Sequence, residues 1–364
     1  TDLRAGHCRI VPGVEVERRQ EESESWSVAD LVRSQAHLIS RRNGGPAYGG
    51  TPSDASVRAA IRDLRARGLK VYLYPFVMMD IPPGNGLPDP DGGSEQSAYP
   101  WRGRITCYPA PGRAGSADGT AAARMQVQAF SAGTDGYRRM VHHYADLAAD
   151  AGGVDGFIIG SELRGLTQLR DDTGSFPFVQ ELIVLAAEVR GRVGSNTKLT
   201  YGADWSEYFG HHPQDGSGDV FFHLDPLWAS PDIDAVGIDN YMPLADWRDE
   251  DLAKQNADGF LSRDDADAMA AQIAAGEGYD WYYASASDRL NGIRSPITDG
   301  LAGKPWVFRY KDLRGWWSNP HFNRVDGAEL SVATSWTPGM KPIWFTELGC
   351  PAIDRGANQP NVFV

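Results

Sequence analysis

The architecture of the chain turns on Val154-Asp155-Gly156-Phe157-Ile158-Ile159-Gly160-Ser161-Glu162-Leu163. This stretch reads as an apolar strand with no polar face, which happens when a strand is covered on both sides, as in a parallel sheet flanked by helices. It also ends abruptly on a carboxylate. A helix from about Gly136 to Ala151 precedes it, and a second near Phe178–Val193 follows. Beyond these lie strands at Lys198–Asp204 and Ile233–Tyr241 and a last one at Lys341–Thr346. Upstream, Ser53 or Asp54 caps a helix through Val57, Ile61 and Leu64 that stops at Gly68. The strand Lys70–Val77 comes next.

Helix and buried strand in alternation specify α/β architecture with a parallel sheet. Five strands start near residues 70, 154, 198, 233 and 342, and the segment 35–40 is a candidate sixth. A closed (β/α)8 barrel needs eight. The expectation is therefore a TIM barrel with strands missing from this chain, either an incomplete barrel or, the favoured reading, a piece of a larger polypeptide. One domain spans residues 1–364, with long loop insertions at 80–123 and 246–336, the second rich in Trp and Gly and carrying helices near Asp264–Ala275 and Tyr279–Asn291. The first insertion is dense in Pro and Gly, and loops of that length are usually functional. An acidic run from Glu15 to Glu24 interrupts the N-terminal segment.

The 364 residues carry a net charge of −13, which disfavours nucleic acid and anionic membrane surfaces as partners. No apolar run approaches the ~20 residues of a membrane span, and the first residues show no targeting pattern. Three cysteines, Cys8, Cys107 and Cys350, lack metal-type spacing and are read as free thiols, a Cys8–Cys107 bridge being the alternative. Adjacent histidines on a helix diverge, so His142-His143 is a structural pair, and His211, His212 and Asp219 make a weak metal set. No cofactor and no metal is expected.

In parallel barrels the chemistry gathers where strands end. Those positions hold Tyr74 and Asp80, Ser161-Glu162, Asp204-Trp205, Asp239-Asn240-Tyr241 and Thr346-Glu347. Two glutamates directly follow apolar strands, in Ile159-Gly160-Ser161-Glu162-Leu163 and Trp344-Phe345-Thr346-Glu347-Leu348-Gly349. Carboxylates beside a core are costly unless a site uses them. Glycoside hydrolysis uses such a pair, one protonating the leaving oxygen and the other attacking the anomeric carbon or activating water. The competing reading pairs each glutamate with a local arginine such as Arg164, and either glutamate buried in a salt bridge away from solvent would overturn the catalytic reading and leave a binding or structural barrel. Trp205, Tyr241, Trp247 and Trp344 are the aromatics best placed for sugar contacts, with Tyr241 in reach of Glu347.

The strand-end pattern resembles clan A glycoside hydrolases. That resemblance implies Glu162 as acid/base and Glu347 as nucleophile of a retaining mechanism. Clan A members commonly have Asn before the acid/base, where this chain has Ser161, so a sugar hydroxyl contact would fall to Ser161 or another group. A longer resemblance rests on Asp2-Leu3-Arg4-Ala5-Gly6-His7-Cys8, Pro46-Ala47-Tyr48-Gly49-Gly50-Thr51-Pro52-Ser53-Asp54, Tyr74-Pro75-Phe76-Val77-Met78-Met79-Asp80 and Tyr201-Gly202-Ala203-Asp204-Trp205-Ser206-Glu207-Tyr208. These are similar to the TIM-barrel domain of gene-transfer-agent and prophage tail proteins, the baseplate hub or host-specificity proteins. The resemblance implies missing strands upstream of Thr1 and downstream of Val364. It also implies tail-protein partners, a location in the tail of a virion-like particle, and a bacterial envelope glycan, either surface polysaccharide or peptidoglycan, as substrate. The alternative is a carbohydrate-binding or structural barrel module of the baseplate with little turnover.

Overall fold

The computed structural model describes residues 1–16 and 25–362, so most of the Glu15–Glu24 acidic run lies outside the described residues. Five strands form one sheet: β1 (Tyr72–Leu73), β2 (Gly156–Ser161), β3 (Lys198–Asp204), β4 (Val236–Asn240) and β5 (Ile343–Leu348). Their spatial order is β5-β4-β3-β2-β1, and both β1–β2 and β2–β3 pair in parallel. These are the five strands expected from the sequence. The eight of a closed (β/α)8 barrel are not present among the described residues.

The candidate sixth strand does not join the sheet. His37–Leu38 forms a two-residue parallel pair with Gly13–Val14, and both His37 and Leu38 are exposed. Its neighbours Ser27–Val28 with Leu31–Val32, and Arg41–Arg42 with Gly45–Pro46, are equally short antiparallel pairs. Turn residues recur too often in this segment for any strand to lengthen and bury a face.

The chain divides into two compact units, the first comprising Thr1–Gly202 with Pro226–Val236 and the second Ala203–Asp225 with Gly237–Val364. In the first, α1 (Asp54–Ala66), α2 (Ala121–Ala132), α3 (Tyr137–Asp150) and α5 (Pro177–Val193) pack against one another, α4 being the single turn Arg164–Thr167. Ser53 caps α1 by accepting from the Ser56 N–H at 3.1 Å. Phe130, Tyr137 and Phe178, from three helices, meet with ring centroids 5.5–6.2 Å apart. Tyr137 then donates its hydroxyl to the Ile159 carbonyl at 2.8 Å, tying the helical layer to β2. Every residue of β2 is buried, as the opening stretch required.

The second unit is organised by aromatic and charged clusters instead of long helices. The imidazole of His321 lies between the rings of Phe222 and Trp336, with centroids at 4.2 and 5.4 Å, and pairs with Asp225 at 2.9 Å. Arg324 and Asp299 form a second buried pair at 2.7 Å. The helix expected at 264–275 is a short α-turn, Ala266–Ala271, continued by a 3-10 turn. The helix expected at 279–291 forms only over Ala286–Asn291. Its first part is instead a strand, Trp281–Tyr282, pairing with Ser295–Pro296, because the bulky alternating pair buries Trp281 and leaves Tyr282 outside. All three cysteines are free, Cys8 and Cys107 being buried. No helix among the described residues is long and apolar enough to cross a membrane.

Candidate active site

Glu162 owes its position to two local irregularities. Ile158 of β2 pairs with Thr200 and Ser161 with Gly202, so three steps on β2 answer two on β3 and the strand bulges immediately before Glu162. Glu162 itself has φ +52°, in the left-handed region that favours glycine. Bulges and positive φ at a non-glycine residue re-aim side chains, and both concentrate at functional sites. The backbone is held there by the Glu162 N–H to the Gly202 carbonyl at 2.8 Å and by the Leu163 N–H to the Tyr201 hydroxyl at 2.7 Å.

The Glu162 side chain meets two residues of the 80–123 insertion. Trp101 donates its indole N–H to Oε2 at 2.6 Å, and Arg102 Nη2 lies 2.9 Å from the same oxygen. Arg102 also donates to the Ser161 carbonyl from Nε at 3.0 Å and to Ser161 Oγ. Its guanidinium carbon sits 4.7 Å from the centre of the Phe76 ring, which in turn packs on Tyr74 at 4.6 Å. Trp101 and Phe76 are exposed, whereas the Glu162 side chain is 9% and that of Arg102 13% exposed. The result is a half-site of two partly exposed aromatic side chains beside a buried carboxylate. Of the expected residues it gathers Tyr74, Ser161 and Glu162. Ser161 is buried and engaged by Arg102, so its hydroxyl serves to anchor the arginine.

Sequence reasoning misses Trp101 and Arg102. The insertion they occupy reads as functional by its length, but a Trp-Arg dipeptide between turns has no periodicity to distinguish it. Arginine does pair with Glu162, although the partner is Arg102 and not the neighbouring Arg164.

Asp80 belongs to a different neighbourhood. Its carboxylate accepts from the Ser40 N–H at 3.0 Å and from the Ser40 hydroxyl at 2.5 Å, and contacts His37 Nε2 at 2.7 Å. Burial works against its charge, but the Ser40 and His37 contacts prevail and hold the carboxyl below the usual range. It ties the 37–40 segment to the chain after β1.

The second unit carries the other glutamate. Tyr241, one residue past β4, donates its hydroxyl to Glu347 Oε2 at 2.6 Å, the pairing expected from the sequence. One residue earlier on β5, Thr346 donates to Asp239 Oδ1 at 2.6 Å, and Asp239 is fully buried. Asn240 accepts from the Met242 N–H at 3.1 Å, shaping the turn that presents Tyr241. Trp344 is half-buried while Phe345 is exposed, as strand alternation demands. Asp204 accepts from the Ser206 N–H at 2.9 Å and from its hydroxyl, capping the turn after β3. Trp205 follows, its ring 4.6 Å from that of Tyr310. Trp247 is buried with Ala245 and Phe260 and is a core residue, not a sugar platform.

The paired histidines diverge as expected. His142 reaches Glu188 at 2.9 Å and His143 reaches Asp54 at 2.8 Å. His212 donates from Nε2 to the Val307 carbonyl at 3.1 Å, and Asp219 accepts from the Asp326 N–H at 2.6 Å.

Helices alternating with parallel strands, and polar residues set at successive strand ends, define a TIM-barrel-like α/β domain. The family model described as the GTA TIM-barrel-like domain, GTA denoting gene transfer agent, matches residues 135–364, and the chain belongs to that family. Glu162, Asp204, Asp239 and Glu347 lie inside the matched span, Trp101 and Arg102 before it. No curated protein matches the chain.

Proposed function

We propose that this domain is a retaining glycoside hydrolase acting on a bacterial cell-envelope glycan, surface polysaccharide or peptidoglycan, within a phage-like tail baseplate. The observation that carries the reading is a repeated arrangement. Each of two strands in a TIM-barrel-like domain ends on a glutamate held by an aromatic hydrogen-bond donor, Trp101 on Glu162 and Tyr241 on Glu347. Such donors fix a carboxylate's direction without neutralising it.

In this reading Glu347 attacks the anomeric carbon while Glu162 gives its proton to the departing glycosidic oxygen. A covalent glycosyl-enzyme forms at Glu347. Glu162, now ionised, takes a proton from water, whose oxygen attacks the same carbon and frees Glu347. No cofactor enters. Two carboxylates beside the sugar suit neutral or cationic rings, and the exposed part of Trp101 supplies an aromatic surface for stacking.

One observation favours a second reading, a carbohydrate-binding or structural baseplate module with little turnover. Arg102 and Trp101 both contact Glu162 Oε2, and both interactions stabilise the ionised carboxylate and oppose a general acid. Catalysis then requires substrate to loosen Arg102 from Glu162. The deciding experiment is reducing-end release from isolated peptidoglycan and surface polysaccharide by wild type, Glu162→Gln and Glu347→Gln. Release by wild type that both substitutions abolish, with binding retained, supports the enzyme. Equal and negligible release by all three supports the module.

A further inference from the structure

Within the second unit, Phe209, His212, Tyr282, Ile297, Phe308 and Tyr310 line an open cleft of about 470 Å³. We propose that this cleft is a second carbohydrate site, taking one pyranose ring of a glycan chain apart from the residues around Glu347. The ligand class rests on the functional reading above.

The cleft is prebuilt. The rings of Phe209 and His212 lie 4.9 Å apart, His212 and Phe308 5.6 Å, and Phe209 and Tyr310 6.2 Å. His212 is fixed by its bond to the Val307 carbonyl, and Tyr208 donates to the Tyr310 carbonyl at 2.6 Å. Trp205 packs its edge against Tyr310 from outside the lining. At the rim Tyr282 is 45% exposed, yet it is not free to wander, because Trp281 beside it is buried under the Arg294 guanidinium at 3.9 Å. A preordered aromatic wall loses little entropy on binding.

The lining also argues for the ligand's chemistry. It contains no Asp, Glu, Lys or Arg, and its hydrogen-bonding side chains include Gln214 and Thr298, both exposed at the edge. Aromatic faces with neutral amide and hydroxyl groups match a polyol with one apolar face. No Lys or Arg stands in the lining to hold a phosphate or a carboxylate. A ring held here would keep a polymeric glycan on the domain between cleavage events, raising its local concentration by avidity.

The test is co-sedimentation of the full chain carrying Glu347→Gln, which blocks turnover, with isolated peptidoglycan sacculi and with surface polysaccharide coupled to beads. Tyr282→Ala and Thr298→Val are added singly, with thermal unfolding to check the fold. Their expected effect is at least a fivefold weaker retention at unchanged melting temperature. In the otherwise wild-type chain, Tyr282→Ala should raise KM on polymer and leave kcat unchanged. Retention of both variants at the parent level, or no retention of the parent on either glycan, overturns the proposal. Weakened retention in a protein that hydrolyses nothing would keep this cleft and remove the catalytic reading; hydrolysis with unaltered retention would do the reverse.

Discussion

Glu162 combines a buried charge with a backbone conformation that costs about 1–2 kcal/mol outside glycine. The strain and the ion pair separate by substitution. Glu162→Gly and Glu162→Ala both remove the carboxylate, but only the first relieves the positive φ. Urea unfolding should find the glycine variant more stable than the alanine variant by about 1 kcal/mol. Equal stabilities would mean that the left-handed geometry is not maintained in solution. Tyr241 offers a second residue-level test. Tyr241→Phe keeps the ring and removes one hydrogen bond to a charged acceptor, so kcat/KM should fall about tenfold, the equivalent of about 1.4 kcal/mol. That pairing is legible from position alone, since Tyr241 and Glu347 both fall at the C-terminal ends of strands. The partners of Glu162 are not, because Trp101 and Arg102 reach it from about 60 residues away across an aperiodic insertion.

At the level of elements, legibility follows burial. β2 and β3 are readable because parallel strands covered on both faces become unbroken apolar runs. Helix α2, Ala121–Ala132, is not anticipated, although Ala123, Val127 and Phe130 form its buried stripe. Its alanine-rich composition gives a weak apolar signal, and it directly follows a long turn-rich segment. The 279–291 helix fails for the opposite reason, two aromatics in a row being satisfied better by a strand edge than by a helix face. Two glycines of β2 show how tightly that element is set. A methyl on Gly160 would meet the Tyr137 hydroxyl at 2.5 Å and the Tyr201 ring at 3.1 Å, and both tyrosines are buried. A methyl on Gly156 meets the Tyr72 ring at 2.3 Å, but Tyr72 is half exposed and can swing away. Gly160→Ala should therefore cost about 2–3 kcal/mol and disturb Glu162, while Gly156→Ala costs about 1 kcal/mol or less. Chemical denaturation of the two variants compares them, and the reverse ranking would contradict this packing.

For the whole molecule, the sequence conveys an α/β chain with strand-end carboxylates, and its resemblance conveys the family to which the chain belongs. It does not convey the division into two compact units, since the second is held by long-range ion pairs that leave no local pattern. Asp299 with Arg324 is the clearest of these, each side chain 2% exposed. The Arg324 guanidinium holds the Asp299 carboxyl well below its ordinary value, outweighing burial. A depressed carboxyl stabilises the fold above its unfolded pKa, near 3.9, and the contribution is lost as pH falls from there toward the folded value. Asp299→Asn should cost about 3 kcal/mol at pH 7. The gap between wild type and variant, followed by urea unfolding from pH 7 to pH 3, should narrow below about pH 4. A gap that is constant across that range would place the origin of the stability elsewhere.

The proposed roles of Glu347 as nucleophile and Glu162 as acid/base are tested most directly by azide rescue. Glu347→Gly and Glu162→Ala are incubated with sodium azide and an activated aryl glycoside cleaved by wild type, and the product's anomeric configuration is read by NMR. Glu347→Gly should yield a glycosyl azide of inverted configuration, azide entering where the carboxylate attacked. Glu162→Ala should yield a glycosyl azide of retained configuration, azide replacing water at the glycosyl-enzyme. The same configuration from both variants, or hydrolysis by either at the wild-type rate without azide, would contradict these roles.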